Sequence, residues 1–488
     1  MYGLLFDSWD ENRIRKSNKS NFVSKNRKLK MKSFSLKNVT SYILLVVMVA
    51  LSGCSENKTE TQDIRLITLD PGHFHAGLIQ KSMFEGVNDS VYVYAPDGKE
   101  VRAHLSLVDK YNTRPENPTS WKETVYLGED YFSKMLEDKK GNVVVLAGNN
   151  QNKSDYIQKS VSAGLNVLAD KPMAINVIGF KQLEKSFALA KENNVMLYDI
   201  MTERYNIINV IQKELMSMDD VFGDLEKGTT AKPAIVKESV HHFYKQVSGS
   251  PLIRPLWYYD IAQEGDGLVD VTTHMVDIIQ WTCFPDVALN YKNDIKVLNA
   301  KRWTTPITLA QYKSSTNADA FPDYLLKDVK AGLLEVYANG EMNYTLKDVH
   351  AKVSVTWNFE APKGGGDTHY SLTRGTKANL IVKQGKAESY KPALFIEAVS
   401  KDTDYEKNLK ENFAKLAETY PGVQLKKQSN GWQIVIPESY NQGHESQFAD
   451  VTNKFLKYLK SGNMPSWEVP NMLAKYYTTT KALEVALK

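Results

Sequence analysis

Ile64-Arg65-Leu66-Ile67-Thr68-Leu69-Asp70-Pro71-Gly72-His73-Phe74-His75-Ala76-Gly77 is an apolar run that stops at Asp-Pro-Gly and reopens in helix-compatible residues. A strand, a tight turn and a helix in that order begin a parallel sheet. The pattern continues. Short apolar runs at Ile64–Leu69, Val91–Ala95, Val143–Ala147, Val167–Ala169 and Val195–Tyr198 alternate with helical periodicity, clearest at Tyr156–Ala163 and Phe180–Asn193. Continuous apolar strands separated by amphipathic helices predict a parallel sheet covered on both faces, a doubly wound α/β unit. Its ligand site is expected beyond the C-terminal strand ends.

Those ends carry candidate nucleotide ligands. A dinucleotide fingerprint would place three glycines in the first turn, so that a pyrophosphate can approach backbone amides at a helix N-terminus. Here Gly72 holds the second position, Asp70 the first and His75 the third, with His73 and Phe74 between. Asp70 is expected to turn away from a pyrophosphate. Asp97 lies at the end of the second run, 25 residues after Gly72, where a carboxylate binds adenosine ribose hydroxyls and favours NAD over NADP. The same residues also read as an Asp-Pro-Gly turn before a helix and an Asp-Gly turn.

After Met201 the texture changes. A helix at 204–218 is followed by strands expected at Ala234–Tyr244, Gly332–Ala338, Gly340–Leu346, His350–Asn358 and Ala378–Val382, with Asn339-Gly340 as a hairpin turn. Helices are expected at 402–420, 444–462 and 470–487. This half predicts an α+β domain with an open, mainly antiparallel sheet.

Composition narrows the function. The 488 residues suggest about two or three domains at ~100–200 residues each. Two cysteines exclude a disulfide framework and multi-cysteine metal centres. Ten Lys/Arg against three Asp/Glu crowd residues 1–54, while the remainder carries 51 against 54. A mildly acidic body lacks the footprint of a nucleic-acid binder. Lys32 and Lys37, the apolar Ser41–Leu51 and Leu51-Ser52-Gly53-Cys54 read as a signal peptide resembling that of a bacterial lipoprotein, with Cys54 acylated. A plain secretory signal is the alternative. Met31-Lys32-Ser33 is an ordinary start, so residues 1–30 read as a gene-model extension or a long n-region. The chain divides into 31–54 (signal), 55–63 (tether), 64–203 (dinucleotide-binding domain) and 204–488 (C-terminal domain), with an exported, membrane-anchored body.

Two further motifs point to chemistry. Ala169-Asp170-Lys171-Pro172 ends one strand, and Glu264-Gly265-Asp266-Gly267-Leu268-Val269-Asp270-Val271-Thr272-Thr273-His274-Met275-Val276-Asp277 follows about a hundred residues later. Asp270 and His274, at i and i+4, share a helical face, with Asp277 after them. Together these motifs resemble the glucose–fructose oxidoreductase / inositol dehydrogenase / rhizopine catabolism (Gfo/Idh/MocA) superfamily from about Ile64 to the C-terminus. Its members carry E-K-P and a Gly-rich D-x-x-x-H element. Asp170 replaces the usual Glu, and the glycine fingerprint departs further.

The resemblance implies an NAD(P)-dependent oxidoreductase acting on a carbohydrate hydroxyl, with Lys171, Asp270 and His274 catalytic. His274 is the base that removes the hydroxyl proton, Lys171 stabilises the same oxygen, and Asp270 orients the site and binds a second hydroxyl. Asn149 and Asn150 are placed beside the nicotinamide, or cap a helix. Tyr198 and Arg204 are further candidates for the cleft. Trp257 and Tyr258 form the candidate sugar platform. NAD is expected over NADP, held tightly. Open sheets of this family imply a homo-oligomer, and the lipid anchor is the expected membrane contact.

No metal site is expected. His241 and His242, adjacent on a strand, face opposite sides and are not expected to chelate together. The Gly364–Gly366 loop with His369 and Tyr370 reads as a cover for the substrate or as a flexible hairpin. Cys283 reads as a buried spectator. Two other functions share these residues: an NAD-dependent glycoside hydrolase using transient oxidation and elimination, and a non-catalytic sugar-binding lipoprotein.

Overall fold

The computed structural model describes residues 63–247, 250–441 and 443–488. Cys54 and the stretches read as a signal and as an extension before Met31 lie outside the described residues. Six strands form the first sheet: β1 (Leu66–Leu69), β2 (Ser90–Ala95), β3 (Lys122–Leu127), β4 (Val143–Leu146), β5 (Asn166–Asp170) and β6 (Leu197–Ile200). Their order is β3-β2-β1-β4-β5-β6, all parallel. Helices α1 (His75–Ile79), α2 (Lys99–Thr113), α3 (Tyr131–Asp138), α4 (Lys153–Ser162) and α5 (Val177–Glu192) make the crossovers. β1 and β4 are buried at every position, as sequences LITL and VVVL require between two helical layers. The sequence pattern named five strands here and missed β3. As an edge strand with no fully buried residue, Lys122–Leu127 (KETVYL) shows no apolar run to read.

One of the crossovers holds an unsatisfied polar group. His104, on α2, is 4% exposed and neither ring nitrogen has a partner. Burial lowers its pKa to about 4. The unfolded chain, with a histidine pKa of about 6.5, takes up that proton first. Stability is therefore lost as pH falls from about 6.5 towards 4. His104→Leu is expected to flatten the acid limb of a melting-temperature profile and leave the neutral limb unchanged or higher; an unchanged acid limb refutes the assignment.

Between the sheets lie a short 3-10 turn, Thr202–Tyr205, and α6 (Ile207–Met216). The second sheet begins at β7 (Ile235–Tyr244), followed by the small pair β8 (Gln246–Val247) and β9 (Ser250–Pro251). After α7 (Thr272–Cys283) and α8 (Tyr291–Asp294) come β10 (Ile295–Ile307), α9 (Leu309–Thr316), β11 (Val329–Lys330), β12 (Leu333–Leu346) and β13 (Val349–Glu360). It continues through β14 (Thr368–Arg374), β15 (Ala378–Gln384), β16 (Ala393–Ala398), α10 (Tyr405–Thr419), β17 (Gln424–Gln428) and β18 (Gly431–Val435). The order is β10-β12-β13-β7-β14-β15-β16-β18-β17, with β11 on β12. All pairs are antiparallel except β7 with β13.

Asn339-Gly340 is not a turn. Both residues sit inside β12, and the chain reverses instead at Lys347 and Asp348, with φ of 49° and 66°. Asn339 is 1% exposed; its Nδ2 donates to the Trp303 carbonyl (3.0 Å) and Thr305 Oγ1 (2.8 Å), and its Oδ1 accepts from the Trp357 amide (2.6 Å). Gly340 leaves room for Leu268, and a Cβ on Gly267 would strike the Ala338 carbonyl. The pair therefore docks the 264–271 turn onto the sheet. Local hairpin preference yields to that packing.

Two last helices, α11 (His444–Ser461) and α12 (Glu468–Ala486), return to the first sheet. Phe448, Val451, Phe455, Leu456, Tyr458, Met472 and Tyr476 join one buried cluster with Leu66, Val144, Leu168 and Tyr198. Among the described residues no helix is long and apolar enough to cross a membrane.

Candidate active site

The turn after β1 holds Asp70 at φ 48°, a conformation that glycine adopts freely and aspartate at some cost. Its carboxylate accepts from the hydroxyls of Tyr156 (3.2 Å) and Tyr131 (3.4 Å) on the helices after β4 and β3. Burial raises its pKa against those two hydrogen bonds. Gly148, after β4, packs so closely on this turn that a Cβ would meet the Asp70 carbonyl and the Gly72 amide. Beside it a cavity of about 270 Å³ is lined by Gly72, Pro96, Asp97, Asn149 and Trp257. A second, of about 260 Å³, is lined by His73, Phe74, Lys99, His104 and Arg254. A glycine turn at the β1 end, opening on a cavity that reaches Asp97 at the β2 end, fits a dinucleotide.

Asp97 lines the first cavity at the β2 end and pairs there with Arg102 at 2.5 Å, both more than half exposed. Other candidates land elsewhere than the sequence placed them. Trp257, a candidate sugar platform, lies against Gly72 and lines the nucleotide-side cavity rather than the cavity beside His274; Tyr258 is buried in the aromatic cluster with Phe243, Tyr259 and Trp357. His75 does not face the turn's amides: it is 8% exposed, and its Nδ1 lies 2.8 Å from Asp170 Oδ2. Asn149 and Asn150 reach across to the second half of the chain, Nδ2 donating to Gln263 Oε1 (2.6 Å) and to the Glu264 carbonyl (2.7 Å).

The catalytic candidates converge where β5 meets the 264–271 turn. The Lys171 ammonium pairs with Asp270 Oδ1. Burial opposes that charge, but Asp270, Asp170 and Glu264 outweigh it and raise the lysine's pKa. Asp270 stands in the turn just before α7, and His274 follows in its first turn. His274 Nδ1 is buried without a partner. Burial, reinforced by the Lys171 ammonium, holds its pKa well below the usual histidine value, so the ring is neutral at pH 7. It opens on a cavity of about 260 Å³ whose polar lining includes Asn206, Asn209, Lys237, His241, Asp367 and His369.

Glu264 was missed as a functional residue. It is half-buried near Asp270, and burial with that carboxylate pushes its pKa up to about 8. Its signal lay in the motif itself, as an acid preceding Gly-Asp-Gly. Lys153, 2% exposed, donates to the Asp170 carbonyl at 3.1 Å and has its pKa lowered to about 8 by burial.

His241 and His242 do share a partner, contrary to the strand-alternation argument: their Nδ1 atoms lie 3.2 and 2.9 Å from the two oxygens of Asp367, which Lys245 also binds. Asp367 reaches them from the segment entering β14, which pairs with β7. Cys283 has its thiol pushed up to about 11 by burial.

Tyr198, Arg204 and Asp277 do not line the cleft. Arg204 forks onto Asp277 with two contacts of 2.7 Å and reaches Glu468 at 2.9 Å. Lys475, 0% exposed, bridges Asp277 (2.8 Å) and Asp199 (2.6 Å), and Tyr198 donates to Glu468 at 3.1 Å. This enclosed network ties β6, α7 and α12 together and fixes the helix that carries His274.

A parallel nucleotide-binding sheet, an open second sheet and a Lys-Asp-His set between them define a dinucleotide-dependent oxidoreductase. The chain belongs to the Gfo/Idh/MocA oxidoreductase family: residues 74–199 match the model described as "Oxidoreductase family, NAD-binding Rossmann fold", and 211–487 match "Putative oxidoreductase C terminal domain". A crystal structure of a "putative oxidoreductase" from Parabacteroides merdae ATCC 43184 is 54% identical, with a TM-score of 0.86 over 87% of this chain and 98% of that one. More distant folds include levoglucosan dehydrogenase in complex with NADH and L-sorbose (12% identity, TM-score 0.56, 87% and 97% covered). KijD10, a 3-ketoreductase from Actinomadura kijaniata in complex with NADP, is 13% identical (TM-score 0.51, 86% and 96% covered). No curated protein matches the chain.

Proposed function

We propose that this oxidoreductase interconverts a hydroxyl and a keto group on a carbohydrate, with NAD as the resident cofactor. A bound nicotinamide supplies a hydride acceptor or donor. The rest is the work of this chain. His274, held neutral by burial and lining the cavity, takes the hydroxyl proton on its ring. Lys171, kept charged, stabilises the negative charge that develops on the same oxygen. Asp270 fixes the Lys171 ammonium, and Asn206 and Asn209 offer hydrogen bonds to further hydroxyls. The observation that carries the reading is the Lys171–Asp270 contact, which brings the β5 end onto the turn that launches His274.

The preference for NAD rests on Asp97 at the lip of the nucleotide-side cavity, where a carboxylate repels a 2′-phosphate. The carbohydrate assignment is supported by the polar lining beside His274, and sugars and sugar derivatives occur among the structural relatives. The lipoprotein signal supports export and anchoring through Cys54. Mixing purified protein with NAD and a panel of sugars and glycosides is expected to give reduced nicotinamide and a keto product in equal amounts. Product without reduced nicotinamide assigns redox-neutral hydrolysis instead; neither, with no nucleotide bound by calorimetry, defeats the oxidoreductase chemistry on sugars.

A further inference from the structure

We propose that His73, His75 and Asp170 form a binding site for one divalent first-row transition-metal ion of the zinc class. The three residues come from separate places: the turn after β1, the first residue of α1 and the last residue of β5. One ligand atom from each lies within 4.8 Å of the others. Around an ion with bonds of about 2.0–2.2 Å, ligand atoms stand about 3–3.5 Å apart, so modest side-chain rotation closes the set. Two imidazoles and one carboxylate leave coordination positions free, the arrangement that catalytic zinc and related ions use.

The surroundings hold the ligands in place. The Lys171 amide donates to Asp170 Oδ1 at 3.0 Å, and Lys153 binds the carbonyl of the same residue at 3.1 Å. The rings of His73 and His75 meet edge to face at 4.0 Å. Phe448 at 4.6 Å and His444 at 5.5 Å, both on α11, wall His75 from the other side. Such outer contacts orient the side chains that would hold the ion. A structural His75–Asp170 pair alone would not require a second histidine two residues away with a ring nitrogen within 4.8 Å of the same carboxylate.

The test uses the intact protein, stripped with EDTA and dialysed, with cobalt(II) as the probe. Visible d–d absorption and elemental analysis are expected to report one cobalt per chain, displaced by zinc. Asp170→Asn and His73→Ala, checked by circular dichroism for native folding, are expected to weaken cobalt binding more than about 100-fold. His75→Gln is the third arm, read only if it also folds. Nucleotide binding by calorimetry on the same samples separates a lost metal site from a lost cofactor site. Wild-type protein that takes up no cobalt, or folded His73→Ala and Asp170→Asn that bind it like wild type, overturns the site.

Discussion

Turnover in His274→Ala is expected to fall about 10²–10⁴-fold, the usual cost of removing a general base, while nucleotide affinity stays within twofold or so. The split follows from placement. The nucleotide-side cavities are lined by Gly72, Asp97, Asn149 and Lys99, and His274 borders neither. Its own cavity lies over α7 and β7. Steady-state rates with the sugar, beside calorimetry with NAD, make the comparison. Near wild-type rates across the whole pH range would place the base elsewhere. His241 and His369, which line the same cavity, would then be the next to substitute.

Lys475→Met is expected to destabilise the protein by about 3–5 kcal/mol, read from urea unfolding, because it leaves Asp199 and Asp277 enclosed with less positive charge between them. The lysine is 0% exposed, so water cannot replace it. Arg204 keeps one side of Asp277 satisfied, which sets the loss nearer one broken pair than two. A single Lys475→Met variant as stable as wild type would show that the ammonium carries no such role.

The N-terminal sheet was legible because its central strands are short unbroken apolar runs, a signal that survives without tertiary knowledge. β3 was not, because an edge strand need not be apolar. The second sheet was half visible. β12 was split in two at Asn339-Gly340, a dipeptide whose local preference is a turn but whose side chain here satisfies three groups on neighbouring strands. The approach of Lys171 to the segment that carries Asp270 and His274 was expected from the resemblance, and the Lys171–Asp270 pair agrees with it. Arg204, Asp277 and Asp199 were not, since their partners Glu468 and Lys475 lie some two hundred residues or more away. The partner of His75 was hidden for a related reason: its place at the third fingerprint position says nothing of Asp170, 95 residues on, and only the fold shows that carboxylate beside it.

The return of α11 and α12 to the first sheet sets an order of events. When residues 64–203 have left the ribosome, all six strands and their crossovers exist, yet Phe448, Phe455 and Tyr476 do not. The apolar surface they will cover stays wet until synthesis is nearly over. Tyr476 must then find Asp199 across 277 residues of chain, and Tyr198 must find Glu468 across 270. Contacts of such sequence separation are slow to form, so closure of the first domain is the late step of folding. A chain released early, or clipped before His444, keeps every nucleotide-side residue and exposes the apolar face that draws unfinished proteins into aggregates.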